Sequence, residues 1–348
     1  MALFNLTPEE LQEVKALVVE TASPDTSKRS DAMNRLISQV ESPIRMGFFQ
    51  GDTVGAIYTR EDLDPAAQAI YGLDFVGPSG EDQYLAYFIP DQGYIPERRV
   101  ISGEITVDTF EIGNSIDWDL KFARTARWNI VARALEVFRK GFTMKVNDEG
   151  WRNIIGAGLN RLDDQIVASG NAFSLGQISL MQLRMERGVD FSEAFLTDLY
   201  VSPEVARDIR NFAVDTSIDF LSRHDIFFNP TDIGRGTGDD QVIATIYGTR
   251  IHKNNRFGIG KTYNTTFNTL NNLRTSAYTF ALASDEFITG LDLSADGKQA
   301  FMMPVRRDLA MFEDQNLNRR RKAGVYGEME LGFVCLDNRR ILHGTIDR

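Results

Sequence analysis

The sequence predicts an α+β protein, with helices and strands held in separate blocks. Three observations lead there. The chain opens on two helical segments, carries a long stretch of helical periodicity near its middle, and closes in strand-like runs divided by turns. Its 348 residues suffice for one large or two modest domains. Hydrophobic residues make up 43% and charged residues 25%, as in ordinary folded proteins, so a packed core is expected rather than a disordered chain.

The first element is marked by Thr7-Pro8-Glu9-Glu10. Thr7 can cap, Pro8 suits the first turn, and Glu10 completes a capping box. This helix should reach about Ala22, before Pro24, and a second should cover Asp31 to Val40 and stop before Pro43. The two are read as an arm, residues 1–50, with little core of its own. Residues 51–112 carry turn signals between short apolar runs such as Tyr84 to Ile89. From Glu104 to Ile112 the pattern alternates, with Ile105, Val107 and Thr109 on one face. This predicts a long β-excursion that leaves the body and returns. A hairpin without a second layer buries little, so it should need a partner surface.

The most helical stretch is Asp117 to Lys145. Leu120, Ala123, Arg127, Val131, Ala134, Phe138 and Phe142 recur at spacings of three and four. Asn147-Asp148-Glu149 should start a shorter helix toward Leu159, and another should run from Ser174 to Arg187. Leu199 to Val201 reads as a buried strand, and Ser202-Pro203-Glu204 starts a helix to about Asn211. Ile243 to Ile251, Arg274 to Ala283, Val325 to Leu336 and Ile341 to Ile346 read as strands. Gly234 to Gly238 and the polar stretch Asn264 to Asn272 read as loops.

Composition excludes several classes. A formal net charge of -11 argues against a dedicated nucleic-acid binder. Cys335 is the only cysteine, so an intramolecular disulfide and a cysteine-rich metal site are both excluded, and the residue reads as a small buried hydrophobe. The N-terminus has no basic segment before its apolar residues, and no stretch approaches a membrane span. The expectation is a soluble protein made in a cytoplasm.

The chemical motifs are incomplete. Gly260-Lys261-Thr262 ends like a phosphate loop, but the Gly required five residues earlier is Asn255, and the preceding residues are polar rather than a buried strand. Asp292 to Gly297 opens like a calcium loop, yet the closing acid falls on Met303. His224, His252 and His343 do not share helical spacing and read as surface or turn residues. No Gly-x-Ser-x-Gly elbow occurs. No catalytic residue, cofactor or metal is assigned, and the chain is read as a non-enzyme.

Charge is uneven. Residues 1–100 hold 8 Lys and Arg against 16 Asp and Glu, whereas residues 113–161 hold 9 against 5. Lys121, Arg124, Arg127 and Arg133, with the cluster Arg319-Arg320-Arg321-Lys322, are the candidate residues facing DNA or a neighbouring subunit. The plain reading is solvated faces and ion pairs between subunits; the functional one is a wall that tolerates packed phosphates.

Several local sequences carry a resemblance. They are Phe88-Ile-Pro-Asp-Gln-Gly-Tyr-Ile-Pro-Glu-Arg-Arg99, Glu104 to Ile112, Thr197-Asp-Leu-Tyr-Val-Ser-Pro-Glu204, and Gly327 to Val334 continuing through His343 to Ile346. In this order and spacing, over roughly residues 44–346, the chain resembles the tailed-bacteriophage major capsid proteins of the Hong Kong ninety-seven type. The resemblance implies an N-terminal arm (1–50), an extended loop (51–112), a peripheral domain with a spine helix (113–190), an axial domain (191–300) and return strands completing both domains (301–348). It implies hexamers and pentamers tiling an icosahedral virion shell around double-stranded DNA, assembled in the host bacterial cytoplasm. A portal protein and separate scaffolding and cement or decoration proteins are the implied partners. Tyr94, Ile95, Arg98 and Arg99 become the candidate extended-loop contacts with neighbours.

Two departures sharpen this. Some relatives join an extended-loop Lys to a neighbour's Asn, but residues 29–120 contain no Lys, so that cross-link should be absent. Some relatives begin with a long cleaved scaffolding region; here about fifty residues precede the loop. The expectation is no N-terminal cleavage, and a separate scaffolding protein if one is used. The alternative within the same fold is an encapsulin, a bacterial compartment whose interior binds a cargo peptide instead of a genome.

Overall fold

The structure is a computed structural model. It describes residues 8–23, 25–50, 53–64, 66–74, 102–124, 128–160, 167–170, 172–187, 194–211, 240–274, 277–295, 297–314 and 322–348. Statements below concern these residues.

Helix α1 spans Pro8–Glu20 and places Val14, Leu17 and Val18 on one buried face. Helix α2 is longer than the sequence reading allows. It runs Thr26–Gln50, begins where Asp25 Oδ1 accepts the Ser27 N–H at 3.1 Å, and contains Pro43 instead of ending before it. Asp25 was the missed start signal, since an Asx cap fixes the first turn. Helices α1 and α2 of residues 1–50, read as an arm with little core of its own, pack onto the main core. Met33, Leu36 and Ile37 of α2 join the main core together with Val14 and Val18. Ser30 Oγ donates to Glu313 Oε2 at 3.1 Å, tying α2 to the far end of the chain.

A short turn of helix, α3 (Val54–Ile57), leads into β1 (Thr59–Asp62). Strands β2 (Ala69–Asp74) and β3 (Ser102–Val107) pair antiparallel from Ala69↔Val107 to Asp74↔Ser102. They form the stem of the predicted excursion. The alternating run does not form one strand: it breaks at Asp108-Thr109 before β4 (Phe110–Asp119).

After β4 the short helix α4 (Leu120–Arg124) precedes α5 (Trp128–Leu159), one helix of 32 residues. The predicted helix start at Asp117 is therefore corrected to strand, and the predicted break at Asn147 does not exist. Asn147 looked like a cap because its side chain readily accepts a backbone N–H. It does so, but from Val54 at 3.3 Å, docking α3 on the helix. Trp151 Nε1 donates to Thr53 Oγ1 at 3.3 Å and Tyr58 O–H donates to Asn153 Oδ1 at 2.8 Å, so residues 53–58 lie along α5. The buried stripe is Val131, Leu135, Phe138, Phe142, Val146, Trp151, Ile154, Ile155 and Leu159.

The first sheet has the order β1-β10-β11-β4, with β12 also on β10. Strand β10 is Phe301–Glu313, β11 is Lys322–Leu331 and β12 is Val334–Cys335. Leu309, Met311, Met329 and Trp118 point into the main core beneath it. Gly327 is required there: a Cβ would lie 2.7 Å from the Phe138 ring.

The second sheet has the order β5-β13-β9-β6-β8-β7. Its strands are β5 (Val167–Gly170), β6 (Asp198–Val201), β7 (Asp240–Ile246), β8 (Thr249–Asn254), β9 (Asp285–Leu291) and β13 (Ile341–Asp347). The predicted strand Ile243–Ile251 is a hairpin, turned at Tyr247-Gly248, where both residues have positive φ. Strand β9 was missed, and Arg274 to Ala283 holds no strand among its described residues.

Helix α6 (Leu175–Glu186) starts where Ser174 Oγ accepts the Gln177 N–H, and α7 (Pro203–Asn211) where Ser202 Oγ accepts the Val205 N–H, both as read from sequence. Their buried residues Ile178, Met181, Val205 and Ile209 cover one face of the second sheet with Leu199, Val201, Ile288 and Leu342. The opposite face carries Tyr200, Phe287 and Ile341 toward α5 and α8 (Thr262–Asn272). The strict alternation between Ile341 and Leu342, or Phe287 and Ile288, is what a sheet covered on both sides demands.

Helix α8 corrects the predicted loop Asn264–Asn272. Asn and Thr are weak helix formers, but Tyr263 and Phe267 bury one turn apart. The buried Asn264 donates to Asp285 O and accepts from Phe287 N, both at 2.9 Å. Asn271 brackets Tyr278 in the same way. These amides satisfy the neighbouring irregular backbone. Among the described residues, no helix is long and apolar enough to cross a membrane.

Candidate assembly surfaces

The foot of the β2–β3 stem is pinned to the first sheet by three contacts. Tyr71 O–H donates to Glu61 Oε2 at 2.6 Å, Arg306 donates to Ala67 O at 3.1 Å, and Thr109 Oγ1 donates to Glu330. Arg306 also pairs with Glu330 at 2.7 Å. The bonds from Thr109 and Arg306 outweigh burial and hold Glu330 below the usual carboxylate range. Burial, followed by the bond to Glu61, pushes the Tyr71 phenol up. The base of the stem is therefore tied to the first sheet at three points. Within the foot Ile70 is exposed. Tyr94, Ile95, Arg98 and Arg99, the expected loop contacts, lie outside the described residues.

Among the described residues, part of the outer face of the first sheet is exposed. Phe312 and Tyr326 face each other in register across β10 and β11, with ring centroids 5.3 Å apart and planes at 28°. They are 40% and 39% exposed, which a self-contained sheet would avoid. Around them Arg307 pairs with Glu328, and Lys322 with Asp117.

The spine helix α5 has a second exposed surface. Val137 and Met144, seven residues apart, are 57% and 54% exposed. Beside them Lys140 pairs with Glu136 at 3.0 Å and Lys145 with Glu149 at 2.5 Å. The Lys140 contact draws Glu136 below its ordinary range. Arg133 and Arg152 are exposed on the same helix.

The predicted basic residues divide accordingly. Lys121 is exposed on α4 and Arg133 on α5. Lys322 is not a free cation but half of an ion pair on the first sheet. It sits in register with Asp119, two residues before Lys121, so these two cations share one end of β4. Nothing is described of the Arg124 side chain, and Arg127, Arg319, Arg320 and Arg321 lie outside the described residues. Sequence reasoning missed Lys140, Lys145 and Arg152, although the seven-residue spacings 133–140 and 145–152 were present as a signal. It also missed the Phe312–Tyr326 pair, because a long buried-to-exposed strand was not recognised there.

The incomplete motifs have structural roles. Strand β8 does precede the Gly260-Lys261-Thr262 segment, correcting the expectation that none would. Gly258 and Gly260 have positive φ, but the Glu204 carboxylate stands against Gly258, where a phosphate would be repelled. Asp292 is fully buried: its Oδ2 accepts from Arg340 and from Phe195 N, and its Oδ1 from Ser294 N. No group of three or more His, Cys, Asp and Glu residues arranged to hold a metal occurs among the described residues.

Two histidines are not the surface residues expected. His343 is buried, with Nε2 at 3.0 Å from Ile155 O and Nδ1 at 2.9 Å from Thr289 Oγ1. A carbonyl can only accept, so Nε2 carries the proton and Nδ1 accepts from Thr289. His252 stacks on Tyr200 and contacts Asp198 at 2.7 Å. His224 lies outside the described residues. Cys335 is half-buried, and burial pushes its thiol up to about 12, which leaves it unreactive.

No family model matches the sequence, and no curated protein matches it either. Solved structures do. The chain is similar to the mature capsid of bacteriophage PhiM1, with a TM-score of 0.55, 12% identity, and coverage of 85% of this chain and 87% of that one. The chain has the fold of a bacteriophage capsid subunit. The head structure of Helicobacter pylori bacteriophage KHP40 gives 0.53 at 10% identity, covering 87% and 91%. The acid-stable capsid of Helicobacter pylori bacteriophage KHP30 gives 0.51 at 11%, covering 86% and 90%. In that fold the long α5, the stem β2–β3 and the two sheets fall into place as one α+β architecture.

Proposed function

We propose that this chain is the major capsid subunit of a bacteriophage head, a structural protein that self-assembles into hexamers and pentamers of an icosahedral shell around double-stranded DNA. The observation that carries this reading is the agreement with capsid structures over most of both chains, 85% and 87% for PhiM1. Two features support it. The stem leaves the body, and the outer face of the first sheet exposes the Phe312–Tyr326 pair. Large permanent interfaces of this kind bury more than about 2,000 Å².

Contact with DNA is weak and non-specific in this reading. Arg133, Arg152 and Lys121 provide scattered positive charge on the helices, while the chain as a whole carries -11. A portal protein, and separate scaffolding and cement proteins, complete the set of partners. The Lys-free stretch 29–120 supports a shell without Lys–Asn cross-links.

Electron microscopy and nuclease digestion of purified particles test the assignment. Closed shells protecting double-stranded DNA are expected. Small DNA-free shells around an enzyme cargo would instead establish the encapsulin alternative. In denaturing electrophoresis of boiled particles, a single band near 39.2 kDa is expected; a ladder of covalent multimers would refute the cross-link-free shell.

A further inference from the structure

Glu286 on β9 is 0% exposed, and its Oε1 has no hydrogen-bond partner. Its Oε2 accepts from Arg348 Nε, and the same guanidinium reaches Asp208 Oδ2 at 2.8 Å on α7. Asp208 Oδ2 also accepts the Phe173 N–H at 3.4 Å, and the Arg348 N–H donates to Ser284 O at 3.2 Å. One guanidinium thus joins β9, α7 and the end of β13.

The charges around this joint do not balance. Helix α7 brings Glu204 and Asp208, with Arg207 3.8 Å from Asp208 and mostly exposed. On β13, Asp347 lies in register with Asp285 of β9. Helix α8, packed against β9, contains no acidic or basic residue. Asp285 and Asp347 alternate to the other face of the sheet, so among the described side chains Glu286, Asp208 and Glu204 meet one buried guanidinium, Arg348, with Arg207 outside.

We propose that Glu286 is the proton-binding element of a latch, in which its neutral form lets Arg348 hold α7 and β13 to β9 and its ionised form loosens that joint. The inference does not depend on the capsid reading, since it concerns the stability of the subunit itself. In the neutral form Oε1 carries the proton and no buried charge is left to solvate, while Oε2 still accepts from Arg348 Nε, whose charge Asp208 balances. In the ionised form one carboxylate oxygen remains buried and unsolvated, facing Asp208 and Glu204. Burial, and then those two neighbours, outweigh Arg348 and push the Glu286 carboxyl up to about 7.

The sign follows from proton counting. Between the ordinary value of 4.5 and about 7 the folded chain holds more protons than the unfolded one. Stability is fully present below that window and is lost as pH rises through it.

The test compares thermal unfolding of wild type, Glu286→Gln and Glu204→Gln from pH 4 to 8.5. Glu286→Gln mimics the neutral form. It should match wild type only near pH 4, below the window, and exceed its Tm at pH 8.5 by about 2–4 °C. Glu204 is exposed, so Glu204→Gln should fold normally; it should keep the decline but make it smaller and complete at a lower pH. Parallel wild-type and Glu286→Gln curves would overturn the latch. If Glu286→Gln does not fold, an unchanged pH profile in Glu204→Gln overturns it equally. Amide exchange in 203–211 and 341–348, corrected for intrinsic rates, should quicken at pH 8.5 in wild type alone.

Discussion

The two sheets of this chain differ in what covers them. The second sheet carries α6 and α7 on one face and α5 and α8 on the other, and its strands β6 and β9 are buried at almost every position. The first sheet buries Leu309, Met311, Met329 and Trp118 on one side and leaves Arg307, Phe312, Tyr326 and Glu328 on the other. The second sheet is complete within one chain. The first is packed on α5 along one side, and its other side carries exposed aromatic rings among the described residues. Their polar groups differ correspondingly. Asp198 and Asp292 in the second region are buried and fully hydrogen-bonded, while the ion pairs of the first sheet are partly exposed and contribute little to stability.

The strongest way to break this comparison is Trp151→Ala. Trp151 sits where the halves meet, with ring centroids of Tyr200, Phe257 and Tyr263 within 5.5 Å and a bond to Thr53. The loss should be about 3–5 kcal/mol in denaturant unfolding, and a smaller loss would mean that α5 and the second sheet are loosely joined.

Asp198→Asn should cost about 2–3 kcal/mol at pH 7, because it removes a buried charged acceptor that takes bonds from His252, Arg250 and Thr197. Burial alone would raise this carboxyl, but bonds from His252, Arg250 and Thr197 hold it below its ordinary value of 3.8. Its contribution is present above that value and is lost as pH falls through the lower folded value. The pH profile of Asp198→Asn should therefore converge on wild type only in strong acid, the reverse of the trend at Glu286.

Gly327→Ala probes the covered side of the first sheet. A methyl group there meets Phe138, and a cost of about 1–2 kcal/mol is expected from thermal unfolding. The smallest effect on the subunit should come from replacing both Phe312 and Tyr326 with Ser. Exposed positions usually change stability by no more than about 0.5 kcal/mol. Particle yield should nevertheless fall, which separates an assembly surface from a core.

Much of this fold was legible in the sequence. The helices read as starting at Ser174 and Ser202 do start there, and the stem, the spine helix and the closing strands lie in the expected order. The errors have common causes. Asn147 is a true acceptor of a backbone N–H, but the donor comes from Val54, 93 residues away. Asn264 and Asn271 make a poor helix locally and a satisfied one only once Asp285, Phe287 and Tyr278 are in place. Tyr247-Gly248 turns a run that period alone reads as one strand. Tertiary partners decided each case, and no local pattern contains them. The candidate surfaces were less legible still. Exposure of Phe312, Tyr326, Val137 and Met144 depends on which faces are covered, and apolar residues in a sequence default to core.

The partly exposed first sheet and pinned stem lead to one direct measurement. Electron microscopy of the purified chain, alone and coexpressed with its neighbouring head genes, should show closed icosahedral shells. A chain that stays monomeric under every condition would contradict the account.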